Sequence, residues 1–249
     1  MLNLIKYEFR KTWALKGIIL VITAIFEAMF LIGMLVDSDN MTGLSVCLLC
    51  LETMFGVFII GVFGVYTLSK DLNTKRSYML FMTPNSSYKI LGAKLIENAT
   101  SIFLGGIFFI VLGIADITAL LSYSGELSTF VDIMVEVFNL AEIDSTYILV
   151  SGIHSLSWWA YIVVVGFFAV IISSSLLNGR KYNGLISFIL FLFIAITVSK
   201  IHTALIIAIF RDVFDFSLTR IIFGIFYYVM LSIIMYVISA WIMDNKLSV

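Results

Sequence analysis

The sequence predicts an all-α integral membrane protein with six transmembrane helices. Three observations carry that fold class. Of the 249 residues, 61% are hydrophobic and 12% charged, with a mean hydropathy of +1.11. Ordinary soluble domains carry about 25% charged residues, and a soluble chain of this length could not hide so much apolar surface. The apolar residues also gather in stretches long enough to cross a hydrocarbon core, which takes about 20 residues as a helix. Finally, the basic residues fall almost entirely in alternate connections between those stretches. A net charge of −1 offers nothing to an acidic polymer, so nucleic acid is not an expected partner.

The elements follow in order. Met1 to Lys16 is predicted to be an interfacial amphipathic helix. Leu2, Ile5, Phe9 and Trp13 recur at helical spacing, and Lys6 and Arg10 flank them. Six spans are expected at about 17–36, 44–69, 95–121, 155–177, 184–200 and 221–243, and the whole of 1–249 reads as a single transmembrane domain. The first apolar stretch lacks an A-x-A-like cleavage site and reads as a span rather than a signal peptide. Cys47 and Cys50, written CLLC, have the spacing of a redox motif. They lie inside an apolar helix rather than at its start, and read as inert packing thiols.

The connection over 70–94 between spans two and three holds five basic residues and the only proline of the chain. Leu72, Tyr78, Met79 and Met82 share one side of a helix, with Lys75 on that side and Arg76 at its edge. This predicts a short helix over 71–82. Thr83-Pro84 then starts a new helix, with Thr as cap and Pro at the first helical position. A helix that offers both apolar and basic groups can dock into a groove on a soluble partner.

The connection from Ser122 to Thr146 is different in sign: it carries Glu126, Asp132, Glu136, Glu142 and Asp144 and no basic residue. Trp158, Trp159 and Tyr161 are expected at the outer interface of span four, and Trp241 at the inner interface of span six. Span five ends near Lys200 and His202. The run "ALIIAIF" after them is too short to cross, so a short outer hairpin or re-entrant segment is expected before span six.

Twelve of the 15 Lys and Arg residues lie on one side of this topology, leaving only Lys200, Arg211 and Arg220 on the other. The positive-inside rule makes the first side cytoplasmic. The expected protein is a multi-pass component of the cell membrane with both termini inside.

The layout, with a basic amphipathic start, six spans, a cytosolic helical connection carrying "LFMTPNSSYKILGAKL" and a short outer hairpin, resembles the membrane subunits of ABC exporters, specifically the six-helix type 2 permease family. The most specific local match is Thr83-Pro84-x-Ser86 followed by Lys89 and Lys94. The resemblance implies that the connection between spans two and three is a coupling helix seated in the cleft of a cytosolic ATPase. Carried onto this chain, that role falls on Asp71, Leu72, Lys75, Arg76, Tyr78, Met79 and Met82. It further implies a second permease chain, as homodimer or heterodimer, two ATPase subunits, and the N-terminal helix packed beside the ATPase. The chain has no G-x-x-x-x-G-K-[ST], so it is not expected to be an enzyme or to hold a cofactor itself. ATP and Mg would belong to the partner.

Glu27 and Glu52 lie within spans one and two at similar depth, with no Lys or Arg at that level. An intramembrane carboxylate costs a few kcal/mol and usually faces a cavity or a partner. Two readings stand: the acids line a translocation path, or they are protonated and hydrogen-bonded to hydroxyls or backbone. Asp116 reads as a solvated helix end, and Glu97 as a residue reaching headgroups. The glycines of "GVFIIGVFGVY" and the pair Gly105-Gly106 read as helix-packing positions.

Three functions compete. The first is a transport subunit driven by a separate ATPase. The second is a secondary transporter or ion-coupled carrier using Glu27 and Glu52, which calls for inverted repeats and broken helices that the sequence does not display. The third is an intramembrane enzyme, for which no nucleophile or metal motif is present and for which His154 and His202 are the only histidines, both placed near the outer surface. An amphipathic or hydrophobic cargo suits so apolar a permease. A small peptide, such as a toxin or bacteriocin-like peptide, is the expected one, with lipids, drugs and ions as alternatives.

Overall fold

The computed structural model of the chain describes residues 2–73, 86–140, 145–177, 183–210 and 217–247. Seven α-helices form among them. They are α1 (Leu2–Leu35), α2 (Asp39–Asn73), α3 (Ser87–Ser124), α4 (Leu127–Leu140), α5 (Ser145–Leu177), α6 (Asn183–Phe210) and α7 (Leu218–Ile242), and α7 runs on into a π-helical turn, Met243–Leu247. All but α4 are long and apolar enough to cross a bilayer. The chain is a multi-pass helical membrane protein, and its surface agrees: Val21, Phe55, Ile110, Phe193 and Phe226 are all exposed. In water such a surface would aggregate; in lipid it is solvated.

All six predicted spans fall within helices, but two ends and one connection differ from expectation. α1 is one uninterrupted helix of 34 residues, about 51 Å long at 1.5 Å per residue. No separate interfacial helix ends at Lys16. Lysines and arginines do not interrupt a backbone ladder, and Gly17 is the lone weak helix former at that point. α6 likewise runs unbroken through Lys200 and His202 for 28 residues, so residues 201–210 form no re-entrant segment. No glycine or proline falls between Ile186 and Phe210 to stop it. Residues 211–216 lie outside the described part.

The acidic connection holds a further helix, α4. Its residues alternate around an amphipathic cylinder, with Asp132 and Glu136 one turn apart. Counting charge signs alone missed it.

Two helix ends show how the turns are cut. After α1, the Ser38 amide donates to the Gly33 carbonyl at 3.0 Å and the Asp37 amide to that of Met34 at 3.2 Å. Asp37 takes φ 56°. This is the left-handed termination that uses up the last orphan carbonyls, and Asp is among the few residues other than glycine that enter it readily. After α3 the same pattern recurs around Gly125, at φ 75°, with the Glu126 amide donating to Leu121 at 3.0 Å.

The described residues divide into two compact units. Unit 1 holds residues 1–8, 62–99 and 145–249; unit 2 holds 9–61 and 100–144. The core of unit 1 is built on α5, where Tyr161, Val164 and Val165 pack with Val198 of α6 and Tyr228 and Met235 of α7. Tyr161 is therefore a core residue, 2% exposed, rather than an interfacial anchor, while Trp241 near the end of α7 is exposed. Small residues permit the closest approaches. A Cβ on Gly64 would lie 1.4 Å from Asn98 Nδ2, and one on Gly166 would lie 2.7 Å from a Val65 methyl.

In unit 2, Gly33 lies against Thr42 across the α1–α2 turn, and Gly56 against Phe109 of α3. Cys47 and Cys50 are free and exposed. Ser45 and Leu49 take the buried positions of that stretch, while Cys50 lines a small cavity of unit 2 with Leu49, Phe30 and Phe109.

Candidate functional site

Segment 74–85, which contains Lys75, Arg76, Tyr78, Met79 and Met82, lies outside the described residues. Its two flanks are described, and both are fastened into unit 1. On the α2 side, Asp71 and Leu72 are buried. Asp71 does not face outward, because its carboxylate accepts from Lys94 Nζ of α3 at 2.6 Å, and the same ammonium reaches Glu8 of α1 at 2.8 Å. Lys94 is 2% exposed. A charge so deeply buried is stable only when its counter-ions come with it, and here there are two.

Two residues further on, Asn73 closes a second polar cluster. Its side-chain oxygen accepts from Asn183 Nδ2 of α6 and from Ser174 Oγ of α5, the latter at 3.3 Å. Ser173 donates to the Asn183 carbonyl at 3.0 Å and shares a 2.7 Å bond with Ser187. Ser173, Ser174, Asn183 and Ser187 are buried and Asn73 is half-buried, so these bonds replace ones that water would have supplied.

The α3 side is held by α7 and the π-helical turn that follows it. The Ser87 amide donates to Asp244 at 3.4 Å, and Tyr236 donates its hydroxyl proton to the Tyr88 carbonyl at 2.7 Å. The start of α1, the end of α2, the start of α3 and parts of α5, α6 and α7 thus converge on one polar floor in unit 1.

The sequence assigned none of this to Glu8 or Lys94. Glu8 carried a usable signal, since it is the only acid among the first 26 residues. Lys94 carried no signal of its burial or of its two acidic partners, being one of five cations in its connection.

Unit 2 holds the second group. Thr23 and Glu27 lie one turn apart on α1. Thr23 donates to Glu52 of α2 at 2.8 Å, and the carboxyl groups of Glu27 and Asp116 of α3 lie close enough to interact. Asp116 is half-buried and close to Glu27, not the freely solvated helix end that its position suggested. One carboxyl oxygen each of Glu27 and Glu52 is buried with no hydrogen-bond partner among the described residues. Two carboxyl groups so placed attract each other only with a proton between them, since two carboxylates only accept. Beside Asp116, Phe30, Leu49, Thr53 and Phe109 line a cavity of about 170 Å³.

Among the described residues no group of three or more His, Cys, Asp or Glu side chains is arranged to hold a metal ion. The two histidines approach each other in unit 1 instead. A Cβ on Gly224 would come 2.7 Å from His154 Nε2 and 3.7 Å from His202 Nε2. His202 also packs, tilted, against the rings of Tyr227 and Tyr228 at 4.9 and 5.0 Å. Neither histidine sits at a helix end.

No protein-family model matches the chain, and neither a curated protein nor a solved structure does.

Proposed function

We propose that this chain is the membrane subunit of an ATP-driven exporter, with segment 74–85 docking a separate cytosolic ATPase and a second permease chain completing the path. The observation that supports it most is the polar floor of unit 1. A segment that transmits force needs both of its feet held by the body it moves. Here the α2 foot is held by the Lys94 ion triad and the Asn73 cluster, and the α3 foot by Asp244 and Tyr236. Displacement of 74–85 would pull on α1, α5, α6 and α7 together rather than fray one helix end.

In this scheme Tyr78, Met79 and Met82 fill the partner's groove, and Lys75 and Arg76 meet acidic groups at its rim. Asp71 and Leu72 serve from inside as part of the footing. ATP and Mg bind the partner. The positively charged connections lie in the cytoplasm, with both termini. The cargo is an amphipathic or hydrophobic compound, a small peptide by preference.

The test is copurification with a candidate ATPase subunit. Tyr78→Ala with Met82→Ala should detach that subunit or uncouple its hydrolysis while the chain elutes folded. Buried anchors of this kind are worth about 2 kcal/mol or more each. Wild-type association and wild-type hydrolysis in the double variant would reject the docking role.

The acids of unit 2 favour one second reading, an ion-coupled carrier in which Glu27, Asp116 and Glu52 hold and pass protons. Glu27→Gln with Glu52→Gln would then abolish proton flux in liposomes that contain this chain alone. Flux equal to that of empty liposomes with the wild-type chain rejects it.

A further inference from the structure

Unit 1 contains a cavity that neither the docking segment nor the acids of unit 2 use. It measures about 410 Å³ and is lined by Trp158 and Tyr161 of α5, Ser199 and Lys200 of α6, and Tyr228 of α7, with Ile196 at its rim. That volume falls in the range of small-molecule sites, about 300–1,000 Å³. Lys200 is the only formal charge in the lining and makes no ion pair among the described residues.

Its position is unusual. α6 is continuous to Phe210, so Lys200 lies ten residues inside the helix, about 15 Å from its end. Tyr228, ten residues after the start of α7, lines the same cavity. An ionisable side chain inside a helix long and apolar enough to cross a bilayer usually serves a ligand or a pathway.

The second observation is Tyr161. It is 2% exposed, and its hydroxyl has no hydrogen-bond partner among the described residues. Its neighbour Tyr228 is engaged, with its hydroxyl 3.4 Å from His202 Nδ1. A buried hydroxyl left unpaired costs about 1–3 kcal/mol, which a ligand atom would relieve. The lining therefore offers an ammonium and spare hydroxyl donors, no carboxylate, and aromatic walls. Trp158 and Ile196 at its edge are exposed, 41% and 57%, on a chain whose apolar exterior lies in lipid.

We propose that this cavity binds an amphipathic anion drawn from the bilayer, its apolar body against Trp158 and Tyr228 and its carboxylate or phosphate at Lys200 and the Tyr161 hydroxyl. An ammonium with no carboxylate beside it selects an anion, and the aromatic walls select an apolar body. The lipid-facing rim selects entry from the membrane. An anionic phospholipid and a free fatty acid share that chemistry. The role of the cavity does not depend on what segment 74–85 contacts.

The experiment uses the full chain with Trp158 as its only tryptophan, Trp13, Trp159 and Trp241 being replaced by Phe, in phosphatidylcholine nanodiscs. In one arm, a small fraction of the lipid is dibrominated phosphatidylglycerol or, for comparison, dibrominated phosphatidylcholine. In the other, dibromostearate is added to plain discs. At least one anionic probe should quench Trp158 saturably and at lower mole fraction than the neutral lipid. Lys200→Met should raise its half-saturating fraction about tenfold, the loss of one charge-assisted hydrogen bond, and Lys200→Arg should largely restore it. Tyr161→Phe, which removes only the unpaired hydroxyl, should raise it by a smaller factor. Preference for phosphatidylglycerol alone identifies the lipid headgroup as the ligand, and preference for stearate alone the free acid. Equal quenching by all three probes, or an unchanged preference in a folded Lys200→Met protein, overturns the assignment. Lys200 is exposed on its helix, so loss of fold is not the expected effect of that substitution.

Discussion

Lys94→Met is the most informative single perturbation of unit 1. The ammonium is 2% exposed and holds Glu8 at 2.8 Å and Asp71 at 2.6 Å. Methionine nearly matches the volume of the lysine stem, so packing is kept and the charge alone is lost. Two buried carboxyl groups then remain without their shared cation. Breaking a buried ion pair by removing one partner costs about 3–5 kcal/mol. For a chain of this size each kcal/mol lowers the melting temperature by about 2–4 °C, so the expected fall is roughly 6–20 °C.

The control is the triple variant Lys94→Met, Asp71→Leu, Glu8→Met. Replacing a whole buried ionic group by apolar residues is often neutral or stabilising, so stability should return. Glu8→Gln, which keeps one ion pair and one neutral acceptor, should fall between. Tryptophan-fluorescence melting in detergent measures all four proteins. A Lys94→Met melting temperature within 2 °C of wild type, a margin below the ~2–4 °C expected for even 1 kcal/mol, refutes the view that the triad ties α1, α2 and α3 together. A triple variant as unstable as the single one refutes the charge-based explanation and leaves packing as the cause.

Three further outcomes are expected. Gly64→Ala should destabilise by about 1–3 kcal/mol, although alanine is worth about 1 kcal/mol more than glycine in a free helix, because its Cβ would fall 1.4 Å from Asn98 Nδ2; adding Asn98→Ala should recover part of the loss, and strictly additive melting shifts would show that the two sites do not meet. Gly224→Ala should displace the His154 ring, whose Nε2 would lie 2.7 Å from the new methyl, and His154→Ala should suppress the defect; an unchanged melting temperature in Gly224→Ala alone would contradict that packing. Cysteines introduced at exposed positions of α4, such as Val131 or Ile133, should react with an impermeant thiol reagent applied to intact cells, in a background where Cys47 and Cys50 are Ser, whereas Ser77→Cys should not; the reverse pattern would invert the proposed orientation.

What could be read in the sequence divides along a physical line. The existence of the six spans is a one-dimensional property, the run length of apolar residues against a fixed hydrocarbon thickness, and it was fully legible. The rotation of each helix about its axis was not. In water, apolar residues mark the buried face, but in lipid both faces are apolar: Val165 is buried and Phe193 exposed, with nothing in their side-chain class to separate them. The inward faces are marked instead by polar and small residues. Ser173 and Ser174 on α5, Asn98 on α3, Thr23 on α1 and Asn183 on α6 are all buried, and Gly64 and Gly166 sit at the closest approaches. Hydrogen bonds and close packing, rather than hydrophobic transfer, hold membrane helices together, so these are the residues that set the phase. Read this way, the sequence already contained the inward stripe of α5 in its run of serines. It still could not have named partners such as Glu8 and Lys94, which are 86 positions apart and meet only once three helices have been rotated into register. The same logic explains α4, where Asp132 and Glu136 against Ile133 and Val135 give an amphipathic helix too short to span: it is the one helix whose phase the ordinary soluble rule could have found, and it was overlooked because its acids were counted as topology and not as a face.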